Sequence, residues 1–211
     1  MFYRLSPDLV IRSRWRLYWP REKERVLVLS APSVFPPGHP TTRLCLDLLI
    51  ETLAVTPSAR LLDVGCGSGV LLLAGVATGA TIGLGVDLSG PAVAITRENA
   101  RANGLAARVQ VVRGSTEGLR GSFDLILGNL PWAVQMGKVE EFTRLAAPHA
   151  RLILSGFKDT QEDDLRAAYQ RAGWAVEHRL TRDESVIELP PEKSFTWVAW
   201  RLRNKELAPQ P

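Results

Sequence analysis

Cysteine, histidine and long apolar runs are all scarce in this sequence of 211 residues. The two cysteines and three histidines have neither the paired spacing of a zinc site nor that of a disulfide framework. We therefore predict no metal site, and we interpret Cys45 and Cys66 as small, weakly polar packing residues. His39, His149 and His178 are scattered along the chain, and His39 is expected to be a hydrogen-bonding loop residue.

Neither a membrane span nor a signal peptide is expected. No apolar run reaches the roughly 20 residues that a bilayer requires, and the start from Met1 to Trp19 mixes arginine with aromatic side chains. We therefore expect a cytoplasmic protein without a membrane partner. Internal repeats are also absent, and the length predicts one domain with a sizeable core.

Strand and helix patterns alternate along residues 39–203. Short apolar segments predict strands at 60–64, 81–86, 109–112, 123–127, 151–155, 174–180 and 195–202. Helical spacing is found after a cap at Thr41 or Thr42, ending at Pro57 and Ser58, and again at 69–78, 91–103 and 159–172. The alternation predicts an α/β, Rossmann-like, seven-stranded sheet with helices on both faces. Its last strand should be antiparallel, because no helix separates the final two strands. Residues 204–211 read as a frayed tail.

A glycine-rich loop follows the first of these strands, in the stretch LLDVGCGSG from Leu61 to Gly69. Gly65, Gly67 and Gly69 let the backbone turn sharply and approach a ligand closely. Asp87, in GVDLS, follows at the distance that a ribose-binding carboxylate needs across one βαβ unit. A later strand ends in NLPW, which has no role in hydride transfer, and the G-x-G-x-G spacing is not that of dinucleotide folds. Together these motifs indicate an S-adenosylmethionine (SAM) dependent methyltransferase.

The cofactor residues follow from the carboxyl ends of the strands, where ligands bind in parallel sheets. The carboxylate of Asp63 suits the ammonium of the methionine half, and that half fits against Gly65, Cys66, Gly67 and Gly69. Asp87 can accept both ribose hydroxyls. Leu88 is expected to flank the adenine.

The segment Asn129-Leu130-Pro131-Trp132 is the predicted catalytic segment. The side-chain oxygen of Asn129 and the following backbone carbonyl can accept the two hydrogens of an amine or amide, which aims its lone pair at the methyl group. Trp132 offers a flat apolar wall for a planar group or an alkyl stem. The alternative for Trp132 is a core residue.

Four stretches between Gly38 and Leu202 resemble one known family. They are GHPTTRLCLDLLIETL, LLDVGCGSGVLLLAG, GVDLSGPAVAITRENARANG and RLILSGFKDTQEDDLRAAYQRAGWAVEHRL, and they are similar to the PrmA-type ribosomal protein methyltransferases, which are class I SAM-dependent enzymes. The resemblance implies N-methylation of lysine or amino-terminal nitrogens on a protein of the ribosomal large subunit. It also implies that Gly65 and Asp87 bind SAM and that Thr41 and Thr42 cover it.

The sequence departs from that family at several points. The resemblance starts after a segment of only 38 residues, where the family has a substrate-recruiting domain, and Pro36-Pro37-Gly38 replaces a glycine-threonine-glycine run. Ser115 stands where an acidic residue often contacts the adenine amine. NLPW replaces the family's N-I-L and is closer to the asparagine-proline-aromatic signature of enzymes that methylate adenine or glutamine nitrogen.

The acceptor therefore stays open between classes. A protein amine is the favoured prediction. A nucleic-acid base methyltransferase would hold an adenine amine at Asn129 and Pro131 and stack the base on Trp132, and a small-molecule N-methyltransferase would use the same residues. The third alternative is a non-catalytic partner subunit that keeps the fold. No oligomeric state is predicted.

Positive charge is concentrated in the segment 1–38, the basic N-terminal arm. From Met1 to Arg43 eight basic residues accompany three acidic ones, while the rest of the chain is about neutral. We expect the arm to pack its aromatic residues on the catalytic domain and to present Arg12, Arg14 and Arg16 to the acceptor, with salt-dependent affinity. The alternative is an alternating strand with these arginines on its solvated face.

Overall fold

The structure is a computed structural model that describes residues 2–31, 38–56, 60–184 and 195–204. Within these ranges the strands are β1 (Phe2–Ser6), β2 (Leu9–Ser13), β3 (Arg25–Leu29), β4 (Arg60–Val64), β5 (Ile82–Asp87), β6 (Val109–Arg113), β7 (Phe123–Asn129), β8 (Ala146–Lys158), β9 (Trp174–Asp183) and β10 (Thr196–Asn204). The α-helices are α1 (Pro40–Val55), α2 (Val70–Thr78), α3 (Gly90–Ala102), α4 (Trp132–Met136), α5 (Val139–Leu145) and α6 (Glu162–Arg171).

Seven strands form the main sheet, in the order β6-β5-β4-β7-β8-β10-β9. The strands from β6 to β8 pair in parallel, whereas β10 is antiparallel to both β8 and β9. Antiparallel neighbours such as β9 and β10 need no crossover helix between them. The predicted seven-stranded sheet with its antiparallel last strand is thus confirmed.

The core lies on both faces of this sheet, because successive side chains of a strand point in opposite directions. In β4, Leu61 packs into the cluster under α1 and α2, while Leu62 packs into the cluster formed with α5 and α6. The neighbouring strands β7 and β8 also contribute apolar side chains to both clusters. The three central strands β4, β7 and β8 are therefore apolar on both faces, as a buried parallel sheet requires.

The boundaries of several elements differ from prediction. Helix α1 begins at Pro40 and is capped by His39, whose Nδ1 accepts a hydrogen bond from the Thr41 N–H at 3.3 Å, so neither predicted threonine is the cap. Pro40 presets the backbone for a first helical position. Helices α4 and α5 were not predicted. The expected loop at Pro36 and Pro37, the helix end at Pro57 and Ser58, and the tail from 205 lie outside the described residues.

Residues of the predicted arm form a second, three-stranded sheet, in which β2 pairs antiparallel with β1 and parallel with β3. Its inner leucines and Ile11 share one hydrophobic cluster with α1, α2 and α3. The edge of β3 is covered by α3. The amide of Asn103 exchanges two hydrogen bonds of 2.8 Å with the backbone of Val28, and Asn99 does the same with Ser30 at 2.8 and 2.9 Å. Two asparagines one helical turn apart thus replace a neighbouring strand.

The structure corrects the expectation for the aromatic side chains of this segment. Trp15 and Trp19 are 86% and 80% exposed, so they do not pack on the rest of the protein, whereas Tyr18 packs against the Phe2 ring at 4.9 Å. Of the three arginines, only Arg12 lies in a strand, because β2 ends at Ser13. Its guanidinium donates to the carbonyls of Ser13, Arg14 and Arg16. Arg12 therefore holds a turn together.

Candidate active site

Three strand ends meet at the carboxyl edge of the main sheet. Val64 of β4 pairs with Val86 of β5 and with Gly128 of β7. The residues that follow them along the three strands are Gly65, Asp87 and Asn129. The register therefore places the glycine loop, the predicted ribose carboxylate and the predicted catalytic asparagine side by side, where ligands of parallel sheets bind.

A cavity of about 510 Å³ opens at this edge. The predicted site residues that line it are Thr41, Gly65, Asp87, Leu88, Ser115, Asn129, Leu130 and Pro131. A second cavity of about 50 Å³ adjoins it through Gly65 and Asn129 and is lined by the predicted residues Thr42, Asp63, Cys66 and Gly67. Gly69 lies outside both linings, packs against Thr96 and starts α2 with a φ of +78°.

The glycine loop and Asp87 are joined directly. Gly65 and Gly67 have φ values of +71° and +57°, a left-handed conformation that glycine adopts without strain. The Gly67 N–H donates to Asp87 Oδ2 and the Ser89 N–H donates to Oδ1, both at 2.9 Å. Each carboxylate oxygen keeps a second lone pair for a ligand. Asp87 is thereby oriented before any ligand arrives.

Asp63 is buried at the small cavity, with 2% of its surface exposed. Its Oδ2 accepts a hydrogen bond of 3.1 Å from the N–H of Leu72 in the first turn of α2. Burial, opposed by that hydrogen bond and reinforced by the charge of Asp87, raises the pKa of the Asp63 carboxyl to about 7. A cation in the cavity would favour the ionised form.

The segment after β7 is held by a network of amide hydrogen bonds. Asn129 Nδ2 donates to Thr42 Oγ1 at 3.3 Å, which leaves the Asn129 side-chain oxygen to accept. The carbonyl of Leu130 accepts from Gln135 Nε2 at 2.7 Å, and the same Nε2 donates to the Ser155 carbonyl at 2.6 Å. Gly156, which has a φ of +98°, packs directly against the Leu130 carbonyl. A Cβ at this position would lie 2.3 Å from Leu130 O.

Gln135 was not singled out from the sequence, although it is fully buried and fixes one of the two predicted acceptor oxygens. A carbonyl has two lone pairs, so the Leu130 oxygen can still accept one further hydrogen. Gln135 lies in the short helix α4, and its contact with the Leu130 carbonyl arises only when β7, α4 and β8 pack together.

The Leu88 and Ser115 end of the cavity carries a lysine that the sequence analysis also missed. Lys138 Nζ donates to Ser115 Oγ at 3.0 Å and to the carboxylates of Glu117 and Glu141 at 2.5 and 2.9 Å. Leu88 is 72% exposed and forms an apolar flank there. This end thus pairs a flat apolar side with fixed polar groups, which suits a planar heterocycle.

The aromatic wall of the cavity is Trp197, not Trp132. Trp197 lines the cavity with His39, and the two rings meet edge to face at 5.0 Å. Trp132 starts α4, packs against the cluster between the sheet and α6, and lies outside the lining of both cavities.

Trp197 is fixed from its other contacts. Its Nε1 donates to Glu184 Oε2 at 3.0 Å, and Lys158 Nζ sits 3.6 Å from the ring centre. Burial lowers the pKa of His39, and its Nδ1 accepts from Thr41 N–H, so the neutral ring carries its hydrogen on Nε2. His39 therefore lines the cavity as a neutral ring.

In the described part of the chain, no group of three or more histidine, cysteine or acidic side chains could hold a metal ion. Among the same residues no helix is both long enough and apolar enough to cross a bilayer.

Comparisons with known proteins identify relatives over most of the chain. The family profile described as "Ribosomal protein L11 methyltransferase (PrmA)" matches residues 3–187. A ribosomal protein L11 methyltransferase of Sorangium cellulosum is 34% identical over 184 residues, which is 86% of this chain and 58% of that protein. The chain spans 50% to 62% of the length of the curated relatives it matches.

Solved structures agree on the fold. A ribosomal protein L11 methylase of Lactobacillus delbrueckii has a TM-score of 0.82 and 25% identity, covering 97% of this chain and 98% of that one. A putative RNA methyltransferase of Pyrococcus horikoshii has a TM-score of 0.64 and 20% identity, covering 82% and 86%. The second likeness shows the class I methyltransferase fold alone.

Proposed function

Because this chain belongs to the ribosomal protein L11 methyltransferase (PrmA) family, a family of SAM-dependent methyltransferases, we propose that it transfers a methyl group from SAM to an amine nitrogen of a protein, with ribosomal protein L11 as the first candidate. The observation that carries the proposal is that one cavity is lined by both Asp87 and Asn129, which end the two strands on either side of β4. We also propose that it acts in the cytoplasm, where a ribosomal protein is available.

The residues present fit SAM along the whole carboxyl edge. Asp87 would accept the ribose hydroxyls, the loop from Gly65 to Gly69 would admit the methionine half, and Asp63 would face its ammonium. Leu88 and Ser115 would flank the adenine, with Lys138 beside them. In the first turn of α1, Thr41 lines the larger cavity and Thr42 lines the smaller one, so both would contact SAM. When bound, SAM supplies an electrophilic methyl group on a sulfonium.

The chain's own contribution to the transfer is orientation. An attacking amine needs its lone pair in line with the methyl group, and two fixed acceptors for its hydrogens provide this. Asn129 and Leu130 both line the cavity, and hydrogen bonds to Thr42 and from Gln135 fix the Asn129 side-chain amide and the Leu130 carbonyl. The Leu130 carbonyl, and Pro131 after it, form the wall beside the reacting nitrogen.

Two apolar side chains of the cavity suit the stem of the acceptor. Trp197 and Val134 are apolar and line the same space as Asn129 and Leu130. An alkyl chain between amine and backbone would lie against them, and the burial of that chain would exclude water from the reacting nitrogen.

SAM binding is expected to depend on the ionisation of Asp63. With a pKa raised to about 7 by burial, the carboxyl is neutral at lower pH, where it attracts an ammonium only weakly. SAM affinity should therefore rise from about pH 6 to about pH 7.5, by at most tenfold per pH unit, and binding should release protons in this window. Calorimetry across the pH series in two buffers of different ionisation enthalpy measures both effects.

The matched variant is Asp63→Asn, which keeps an oxygen for the Leu72 N–H. Its SAM affinity should be weaker at about pH 7.5 and flat across the same window. Equal pH profiles for the variant and the unmodified chain would show that the Asp63 carboxyl does not face the ammonium.

The acceptor is tested with labelled methyl. The purified chain is incubated with methyl-labelled SAM and either purified ribosomal protein L11 or a cell extract, and each product is treated with protease or with nuclease. Label that enters the protein and is released only by protease supports the proposal. Release by nuclease would instead support methylation of a nucleic-acid base, for which the same asparagine and carbonyl could hold an adenine amine. Label confined to small molecules, or no label with intact SAM binding, would support the remaining alternatives.

A further inference from the structure

The loop after β2 presents an unusual apolar surface. In this loop, residues 14–20, Trp15, Leu17 and Trp19 are 86%, 81% and 80% exposed. These are the highest exposures of any large apolar side chain in the described ranges. We call Trp15, Leu17 and Trp19 the tryptophan surface. Single exposed apolar residues are ordinary, but three within five positions mark an interaction site.

The alternation of the loop explains why these three side chains face outward. The Arg16 guanidinium lies 5.2 Å above the Phe2 ring, and the Tyr18 ring lies 4.9 Å from the same phenylalanine. The Tyr18 hydroxyl also donates to Glu24 and accepts from Arg4. Arg16 and Tyr18 thus contact Phe2, whereas Trp15, Leu17 and Trp19, which alternate with them, project into solvent.

The loop is also held in shape before any partner arrives. The carbonyls of Ser13, Arg14 and Arg16 accept hydrogen bonds of 3.0 to 3.3 Å from the Arg12 guanidinium. The Arg14 N–H donates to the Leu29 carbonyl at 2.8 Å, which ties the loop to the end of β3. A braced loop loses little conformational entropy when it binds, and this favours affinity.

Three of the arginines near the tryptophan surface have acceptors within the chain itself, and a fourth, Arg16, lies against the Phe2 ring. Arg12 donates to backbone carbonyls, Arg14 pairs with Glu98 at 3.6 Å, and Arg4 pairs with Glu24 at 2.5 Å. Phosphate groups of a nucleic acid would have to compete with these partners. The projecting side chains carry no charge, so the complementary surface is apolar.

We propose that the tryptophan surface docks into an apolar groove on the methyl-accepting protein. The proposal rests on the proposed function for the choice of a protein partner. Asn99 connects the three-stranded sheet that carries this loop to the glycine loop of the active site. Its side-chain amide donates both to the Ser30 carbonyl, just after β3, and to the Ser68 carbonyl of the glycine loop. Two tryptophans and a leucine offer roughly 500 Å² of surface, a large share of the roughly 800 Å² that one partner contributes to a stable complex.

The test uses the full chain with Trp15, Leu17 and Trp19 all changed to serine. The matched control is Val55→Ser, an apolar side chain that is 73% exposed at the end of α1. Binding to purified ribosomal protein L11 is measured by calorimetry, and methylation by steady-state kinetics at saturating SAM. Both are repeated from about 50 to about 400 mM salt. Circular dichroism and SAM affinity verify the fold of each variant.

We expect the triple variant to bind L11 at least about 30-fold more weakly than the unmodified chain. The Michaelis constant for L11 should rise in proportion, whereas turnover and SAM affinity should be unchanged. The control should match the unmodified chain. Affinity of the unmodified chain should change by less than about threefold over the salt series, since screening acts on charges and not on apolar contact. Binding without methylation would leave the docking proposal standing and overturn the proposed function.

Several results would overturn the docking proposal. These are no L11 binding by the unmodified chain, equal binding by the triple variant, or a steep salt dependence. A loss of binding to anionic phospholipid vesicles or to single-stranded RNA in the triple variant, with L11 binding intact, would assign the surface to that partner instead. Light scattering that shows a dimer for the unmodified chain and a monomer for the variant would assign it to a second copy.

Discussion

Asn129→Ala is expected to lower the turnover number by about 100-fold or more while SAM affinity changes by less than about threefold. The variant loses the side-chain oxygen that would accept one hydrogen of the attacking amine, so the lone pair is no longer held in line with the methyl group. Loss of that alignment costs about a hundredfold in rate, and it acts mainly on the transition state. Single-turnover methylation at saturating SAM and acceptor measures it directly.

Thr42→Val provides the graded comparison for this prediction. It removes the hydroxyl that accepts from Asn129 Nδ2 at 3.3 Å, and it keeps the shape of a fully buried side chain. Loss of one neutral hydrogen bond is worth about 0.5 to 1.5 kcal/mol, so turnover should fall only about 2- to 12-fold. Full turnover in Asn129→Ala would show that the asparagine does not orient the acceptor.

Asp87→Ala is expected to weaken SAM binding by about 1.5 to 3 kcal/mol, the range for hydrogen bonds to a charged group. This corresponds to a dissociation constant about 10 to 150 times higher. The carboxylate that the N–H groups of Gly67 and Ser89 hold in place would no longer accept the ribose hydroxyls. Calorimetric titration with SAM measures the loss.

Two further variants separate ligand binding from loop support. Asp87→Asn keeps one side-chain oxygen and should lose less affinity than the alanine variant. Asp124→Ala also removes a carboxylate that accepts a backbone N–H, from Arg60 at 2.7 Å, but this one lies at the opposite end of the sheet, where β4 begins. It should bind SAM normally. If Asp87→Ala and Asp124→Ala both retained full affinity, the ribose assignment would be wrong.

The features that could be predicted from the sequence are those that depend on interactions between residues close together in the chain. The parallel sheet, the order of its elements and the strand ends that carry Gly65, Asp87 and Asn129 were all predictable. Each depends on a local pattern, such as an apolar run, a glycine that permits a positive φ, or a polar residue that ends a strand. The parallel register then brings the ends together.

The aromatic wall shows where local patterns were insufficient. Trp132 follows the catalytic segment directly in sequence, and proximity suggested that it faces the acceptor. Helix α4 begins at Trp132, whose partly buried side chain packs against the core. Trp197 instead reaches the cavity from β10, which pairs with β8. A residue 65 positions beyond Trp132 is placed there by strand pairing alone.

By itself, the sequence determined the fold, the cofactor loop and the family resemblance, because these follow from periodicity and from short motifs whose parts are covalently near one another. The tertiary structure decided that Lys138 and Trp197 complete the cavity and that Gln135 fixes the Leu130 carbonyl beside it. It also decided which side chains of the loop at residues 14–20 face outward. These features depend on contacts between side chains of separate elements. Arg16 and Tyr18, for example, pack against Phe2, and both tryptophans of the loop remain in solvent. The sequence shows which charged and aromatic residues a loop contains, but only tertiary packing decides which of them point into solvent.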